Sequence, residues 1–108
     1  MSLLEIRFFT VHPGRREEFD RLSREETIPL MRRWGITVLT GGPALNDEDG
    51  YCLVRAFASE EERVGLQERF YASAEWNDNY DKPVMAMIAD YKTVVLPLTP
   101  ELKRRFGA

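Results

Sequence analysis

The run Leu3–Val11, LLEIRFFTV, alternates like a strand yet carries apolar residues on both of its faces. Leu4, Ile6, Phe8 and Thr10 point one way, and Glu5, Arg7, Phe9 and Val11 point the other. Such a strand needs cover on two sides, so helices must close one face of its sheet and something else must close the other. Two charged residues, Glu5 and Arg7, interrupt it. Desolvated charges persist mainly when paired, so they mark either a structural ion pair or a polar pocket.

The chain after this strand divides readily. Pro13-Gly14 ends the strand, and a helical stretch opens at Gly14-Arg15 in which Phe19, Leu22, Leu30 and Trp34 share one face. Pro29 offers no N–H to the carbonyl of Glu25, which predicts a kink or break there, and Gly35 is placed to cap the helix in the left-handed conformation. Glu26 lies in that apolar stripe, three residues before the proline. A second strand is predicted over Ile36 to Thr40, stopping at Gly41-Gly42-Pro43, followed by an acidic turn over residues 44–50, ALNDEDG. Residues 51–57, YCLVRAF, form a third strand.

Ser59 with Glu62 makes a capping box for a helix carrying Val64, Leu66 and Phe70. Ser73 caps a further helix in which Trp76, Tyr80, Val84 and Met87 recur at helical spacing, interrupted by Pro83. Residues 89–96, ADYKTVVL, read as the last strand, ended by Pro97 and Pro100 before a short polar tail. The order β-α-β-β-α-β predicts an α+β, ferredoxin-like fold: a four-stranded antiparallel sheet with helices on one face, residues 1–108 forming one domain.

The two sheet faces can be assigned by size. Cys52, Val54 and Ala56, with Ile6 and Phe8, suit close packing beneath helices. The other face then holds Phe9, Val11, Tyr51, Leu53 and Phe57 with Glu5, Arg7 and Arg55, which is too apolar to be left in water. A second copy stacked on it would bury both, making a homodimer whose junction is Glu5, Arg7, Phe9, Tyr51, Leu53, Arg55 and Phe57. In that junction the three charged residues are expected to form a salt-bridge cluster rather than an active site.

Several chemistries find no support in the composition. A net charge of −3 gives no electrostatic case for nucleic acid or an anionic membrane, and Lys103, Arg104 and Arg105 read as solvated surface. His12 and Cys52 are the sole histidine and cysteine and lie on separate strands, so neither a metal nor another cofactor is expected. The lone cysteine precludes an internal disulfide, and no stretch is apolar enough to span a membrane, which together predict a cytoplasmic protein. No nucleophile elbow and no phosphate-binding glycine loop occurs.

The segments EIRFFTVHPGRREEF, IPLMRRWGI, SEEERVGLQERFYASAEW and VVLPLTP, in this order, resemble the NIPSNAP family over about Leu4 to Pro100. Glu5, Arg7, Phe9, Pro13-Gly14, Phe19, Pro29-Leu30, Arg33, Gly35, Arg55, Trp76 and Pro97-Leu98 match its pattern. Trp34, where a histidine is expected, and the acidic Glu26 depart from it. The resemblance implies a dimeric α-β barrel, in which two ferredoxin-like subunits pack sheet to sheet and small molecules sit between helices and sheet. Related barrel families include cofactor-independent monooxygenases and isomerases, so the fold alone does not choose a reaction. Applied to this chain, it gives a hydrophobic-metabolite pocket of Phe8, Phe19, Trp34, Trp76, Tyr80 and Met87. Glu26 would be the general base if burial raised its pKa. A non-catalytic dimeric module that binds a ligand or partner is the alternative.

Overall fold

Four strands join in one antiparallel sheet, β1 (Leu3–Val11), β2 (Thr37–Pro43), β3 (Gly50–Phe57) and β4 (Ile88–Pro97), in the spatial order β2-β3-β1-β4. The computed structural model describes residues 2–107. Between β1 and β2 run α1 (Arg16–Leu22), a π-helical turn (Ser23–Thr27) and α2 (Ile28–Arg33). Between β3 and β4 lie α3 (Glu60–Ala72), α4 (Ala74–Asn79) and α5 (Asp81–Met87), and α6 (Pro100–Arg105) follows β4. The order and pairing are those of the ferredoxin-like fold.

Local chemistry sets the breaks. Pro29 falls in the first turn of α2, and the helix reaches it through wider π bonding, with the N–H of Ile28 bonded to the carbonyl of Ser23. Gly35 has φ +86° and completes a Schellman cap: the Gly35 N–H donates to Arg32 and the Ile36 N–H to Met31, both at 3.0 Å. The Ser59 hydroxyl accepts from the Glu62 N–H at 3.1 Å, while the Glu62 carboxylate reaches back to the Ala58 N–H, one residue beyond the N-cap N–H of the usual box. Ser73 accepts from the Trp76 N–H at 3.2 Å and starts α4.

Two boundaries differ from the sequence expectation. β2 continues through Gly41-Gly42-Pro43 instead of stopping there, after a register shift between Val38 and Thr40. A side chain at Gly41 would meet Ile28 Cδ1 at 3.0 Å, so glycine there lets strand and helix approach. The polar tail contains α6, capped by the Thr99 hydroxyl on the Leu102 N–H at 3.2 Å, with Pro100 in its first turn.

The larger correction concerns the sheet faces. Helices α1–α5 cover the face of Phe9, Val11, Tyr51, Leu53 and Phe57, whose core also takes in Phe19, Leu30, Met31, Phe70, Trp76 and Met87. Glu5, Arg7, Phe9, Tyr51, Leu53, Arg55 and Phe57 are therefore not the residues of an uncovered junction. Large side chains, Phe19, Phe70 and Trp76 among them, fill the space between the helices and the sheet. The smaller residues Cys52, Val54 and Ala56 lie on the outer face with Leu4 and Ile6, where Leu98 and Leu102 of the C-terminal segment cover one end. Phe8, also expected under helices, is 51% exposed on that outer face.

Candidate functional site

The π-helical turn shapes the space between helices and sheet. An α-helix would return to the same face every 3.6 residues, but the wider turn points Ser23, Thr27 and Ile28 inward and leaves Glu26 exposed. Beneath it lies a cavity of about 260 Å³. Phe19, Ser23, Thr27 and Ile28 form its roof, Phe9, Tyr51 and Leu53 its sheet floor, and Trp76, Asp81 and Val84 one wall. Arg7, Met85 and Tyr91 stand where it opens, Met85 and Tyr91 each being 52% exposed.

One side of this cavity is held by a charge network. Glu5 and Arg55 are both 0% exposed. Arg55 donates to Glu5 Oε1 from Nε at 2.9 Å and from Nη2 at 2.5 Å, and its Nη1 donates to the Tyr71 hydroxyl at 3.1 Å. Glu5 Oε2 accepts from Arg63 Nη1 at 2.9 Å and Gln67 Nε2 at 2.6 Å, both from α3. Burial pushes the Glu5 carboxyl pKa up, but the Arg55 charge and the bonds from Gln67, Arg55 and Arg63 outweigh it, and the result is lowered. Among the described residues, every buried side-chain nitrogen and oxygen has a hydrogen-bond partner. The expected pairing of Glu5 with Arg55 is present, within one subunit and beneath α3.

Arg7 stands at the edge of this network. Its Nε donates to Thr93 at 3.0 Å and its Nη2 to Gln67 at 3.3 Å, and it is 4.0 Å from Glu5. Its guanidinium lies 5.3 Å above the Tyr91 ring. Elsewhere in the wall the Trp76 indole N–H donates to Asp81 at 3.2 Å, and the Tyr51 hydroxyl donates to Asp20 at 3.0 Å. Burial, with Asp20 beside it, drives the Tyr51 pKa well upward, so this hydroxyl stays protonated.

The residues chosen from sequence scatter around this cavity. Phe19 and Trp76 line it. Met87 is fully buried in the core, and Trp34 and Tyr80 pack against that core outside the cavity lining. Phe8 lies on the opposite sheet face. Glu26 is exposed and accepts from the Tyr80 hydroxyl at 3.1 Å; it lies outside the cavity, so the burial its role as a base required is absent. Burial and then Glu26 raise the Tyr80 pKa. Sequence reasoning passed over Ser23, Thr27, Tyr71 and Asp81. Of these only Asp81 carried a usable signal, as a carboxylate five residues after Trp76 and two before Pro83.

No family model matches the chain, and no curated protein matches it by sequence. A NIPSNAP family protein from Agrobacterium tumefaciens superposes with a TM-score of 0.83 at 16% identity, over 93% of this chain and 95% of that one. An uncharacterized NIPSNAP domain protein from Burkholderia xenovorans gives 0.80 at 15% identity, over 91% and 95%. A putative antibiotic biosynthesis monooxygenase from Bacteroides thetaiotaomicron gives 0.71 at 20% identity, over 94% of each chain. The chain thus has the α+β ferredoxin-like fold that these NIPSNAP proteins share with monooxygenase-like neighbours.

Proposed function

We propose that the chain is a NIPSNAP-family small-molecule-binding protein, acting as a homodimer and holding a small hydrophobic metabolite between helices and sheet. The observation that carries this reading is the cavity, whose walls are mainly aromatic and aliphatic with a few polar groups set among them. Binding sites for small molecules have this make-up, the apolar walls supplying affinity and the polar groups orientation. Native mass spectrometry and untargeted metabolite extraction of the purified protein test it. A co-purifying apolar compound displaced by substituting Thr27→Trp supports the reading; an empty protein that binds nothing from a metabolite library contradicts it.

The outer sheet face supports the dimer. Phe8, Val94 and Leu96 are 51%, 36% and 41% exposed and adjoin Ile6 and Cys52. Contiguous apolar surface of this kind marks an interface, and the same patch on a second copy would close it symmetrically. In this reading the junction is formed by Ile6, Phe8, Val94 and Leu96, on the sheet face opposite Phe9, Tyr51 and Leu53. Light scattering at micromolar concentration is expected to give a dimer mass, and Phe8→Asp a monomer; a wild-type monomer refutes the assembly. The lone Cys52 suits a reducing, cytoplasmic setting.

A catalytic reading has one observation in its favour. Asp81 is a carboxylate on the cavity wall, positioned by Trp76, in a fold shared with putative monooxygenases. In that reading Asp81, not Glu26, takes a proton from a bound metabolite in cofactor-independent oxygenase or isomerase chemistry. Asp81→Asn would then abolish turnover while leaving ligand binding within about threefold.

A further inference from the structure

The charges of the network around Glu5 do not cancel among themselves. Arg7, Arg55 and Arg63 surround Glu5, and Arg63 also pairs with Glu60 at 2.5 Å. Three guanidiniums therefore face two carboxylates, leaving one positive charge. Arg55 and Arg63 hold Glu5 at 2.5 and 2.9 Å, whereas Arg7 is the most distant at 4.0 Å, so the excess charge resides on Arg7.

Arg7 is also the member of the network that lines the open end of the cavity. Its side chain is 15% exposed, its Nε and Nη2 bond neutral groups on Thr93 and Gln67, and its Nη1 has no partner among the described residues. Tyr71, on the same cavity, accepts from Arg55 and donates to no described residue, so its O–H is a second available donor. Two donors, one of them charged, match one planar acid group.

We infer that the cavity takes a small aromatic monocarboxylate, its acid group bound by Arg7 and its ring resting on the aromatic wall of Phe9, Phe19 and Tyr51. This inference rests on the reading of the cavity as a small-molecule site. Phe9 and Phe19 have centroids 5.4 Å apart, and Phe19 meets Tyr51 edge-on at 5.0 Å, so the three rings pack on one another and present a continuous aromatic wall on which a flat ring can lie. The cavity, at about 260 Å³, lies just below the range of sites that hold drug-sized ligands, which suits one ring with a short arm. The Asp81 carboxylate on the same wall opposes a second negative charge, which excludes dicarboxylates and dianionic phosphates.

Calorimetric titration of the wild-type protein with benzoate and with benzyl alcohol tests this, one probe charged and the other neutral at similar size. Benzoate is expected to bind ~10-fold or more tightly than benzyl alcohol, because a charge-assisted bond replaces a neutral one. That preference should shrink as salt is raised. Arg7→Gln is expected to remove it, and Arg7→Lys to retain part of it. Benzyl alcohol binding as tightly as benzoate overturns the inference and leaves the cavity reading standing. Failure of both probes to bind overturns both. Because the comparison is made on the wild type, it decides even if Arg7→Gln does not fold.

Discussion

The two faces of the sheet handle apolar and charged residues in opposite ways. The helix-covered face contains the buried charges, Glu5 and Arg55, together with the largest aromatic side chains. The outer face is nearly free of charge along β1 and β3, yet it leaves Phe8, Val94 and Leu96 in contact with water. Polarity therefore does not distinguish inside from outside in this fold; the availability of partners does. Glu5 is tolerated in the interior because Arg55, Arg63 and Gln67 together satisfy both of its oxygens, and α3 supplies two of those three. The outer face is apolar along β1 and β3 and carries its charges, Asp90 and Lys92, only on the edge strand β4, a composition whose apolar part a second subunit would bury.

Substitutions that treat the two faces alike should therefore give unlike results. Phe19→Ala is expected to cost roughly 3–5 kcal/mol in urea denaturation, since it empties space at the centre of the core. Phe8→Ala, with the same change of side chain, should alter monomer stability by no more than about 0.5 kcal/mol, any further loss depending on protein concentration. Equal costs at the two positions would break the comparison.

Glu5→Ala is expected to cost roughly 3–5 kcal/mol, because it strands the Arg55 charge in the interior. Glu5→Leu with Arg55→Met should recover most of that loss, since an apolar pair of similar size needs no partners. Recovery would show that the network positions Arg7 and Tyr71 more than it stabilises the fold.

Acid should report on the same pair. The folded-state pKa of Glu5 lies below its usual value of 4.5, so the carboxylate contributes stability that is complete above the unfolded value and is lost as pH falls through the folded one. The urea midpoint of the wild type should fall on acidification below about pH 4.5, and that of the Glu5→Leu, Arg55→Met variant less steeply. Parallel pH profiles would mean that other carboxylates dominate. Gly35→Ala is expected to cost about 1–2 kcal/mol, because φ of +86° lies in the left-handed region.

What could be read from the chain was what depends on neighbouring residues. The left-handed cap at Gly35, the serine caps at Ser59 and Ser73 and the order of strands and helices all rest on sequence-local chemistry. The choice of sheet face does not. An alternation of period two states that Phe8 and Phe9 part company, but which of them meets the helices is decided by how the crossover connections land. Glu26 was misplaced for a related reason: the helical period assumed for Arg16–Arg33 omits the extra residue of the π turn, which rotates Glu26 outward and Thr27 inward. Helix α6 was hidden by Pro97 and Pro100, which end a strand and begin a helix with equal ease.

The central claim is that the helix-covered face holds the ligand and the outer face holds a partner. Backbone and methyl NMR shifts during titration with benzyl alcohol, a neutral ring with no charge to steer it, test that division directly. The account predicts saturable shifts at Phe19, Thr27, Ile28, Leu53 and Met85, with Ile6, Val94 and Leu96 unmoved. Shifts confined to the outer face, or none on either face, would contradict it.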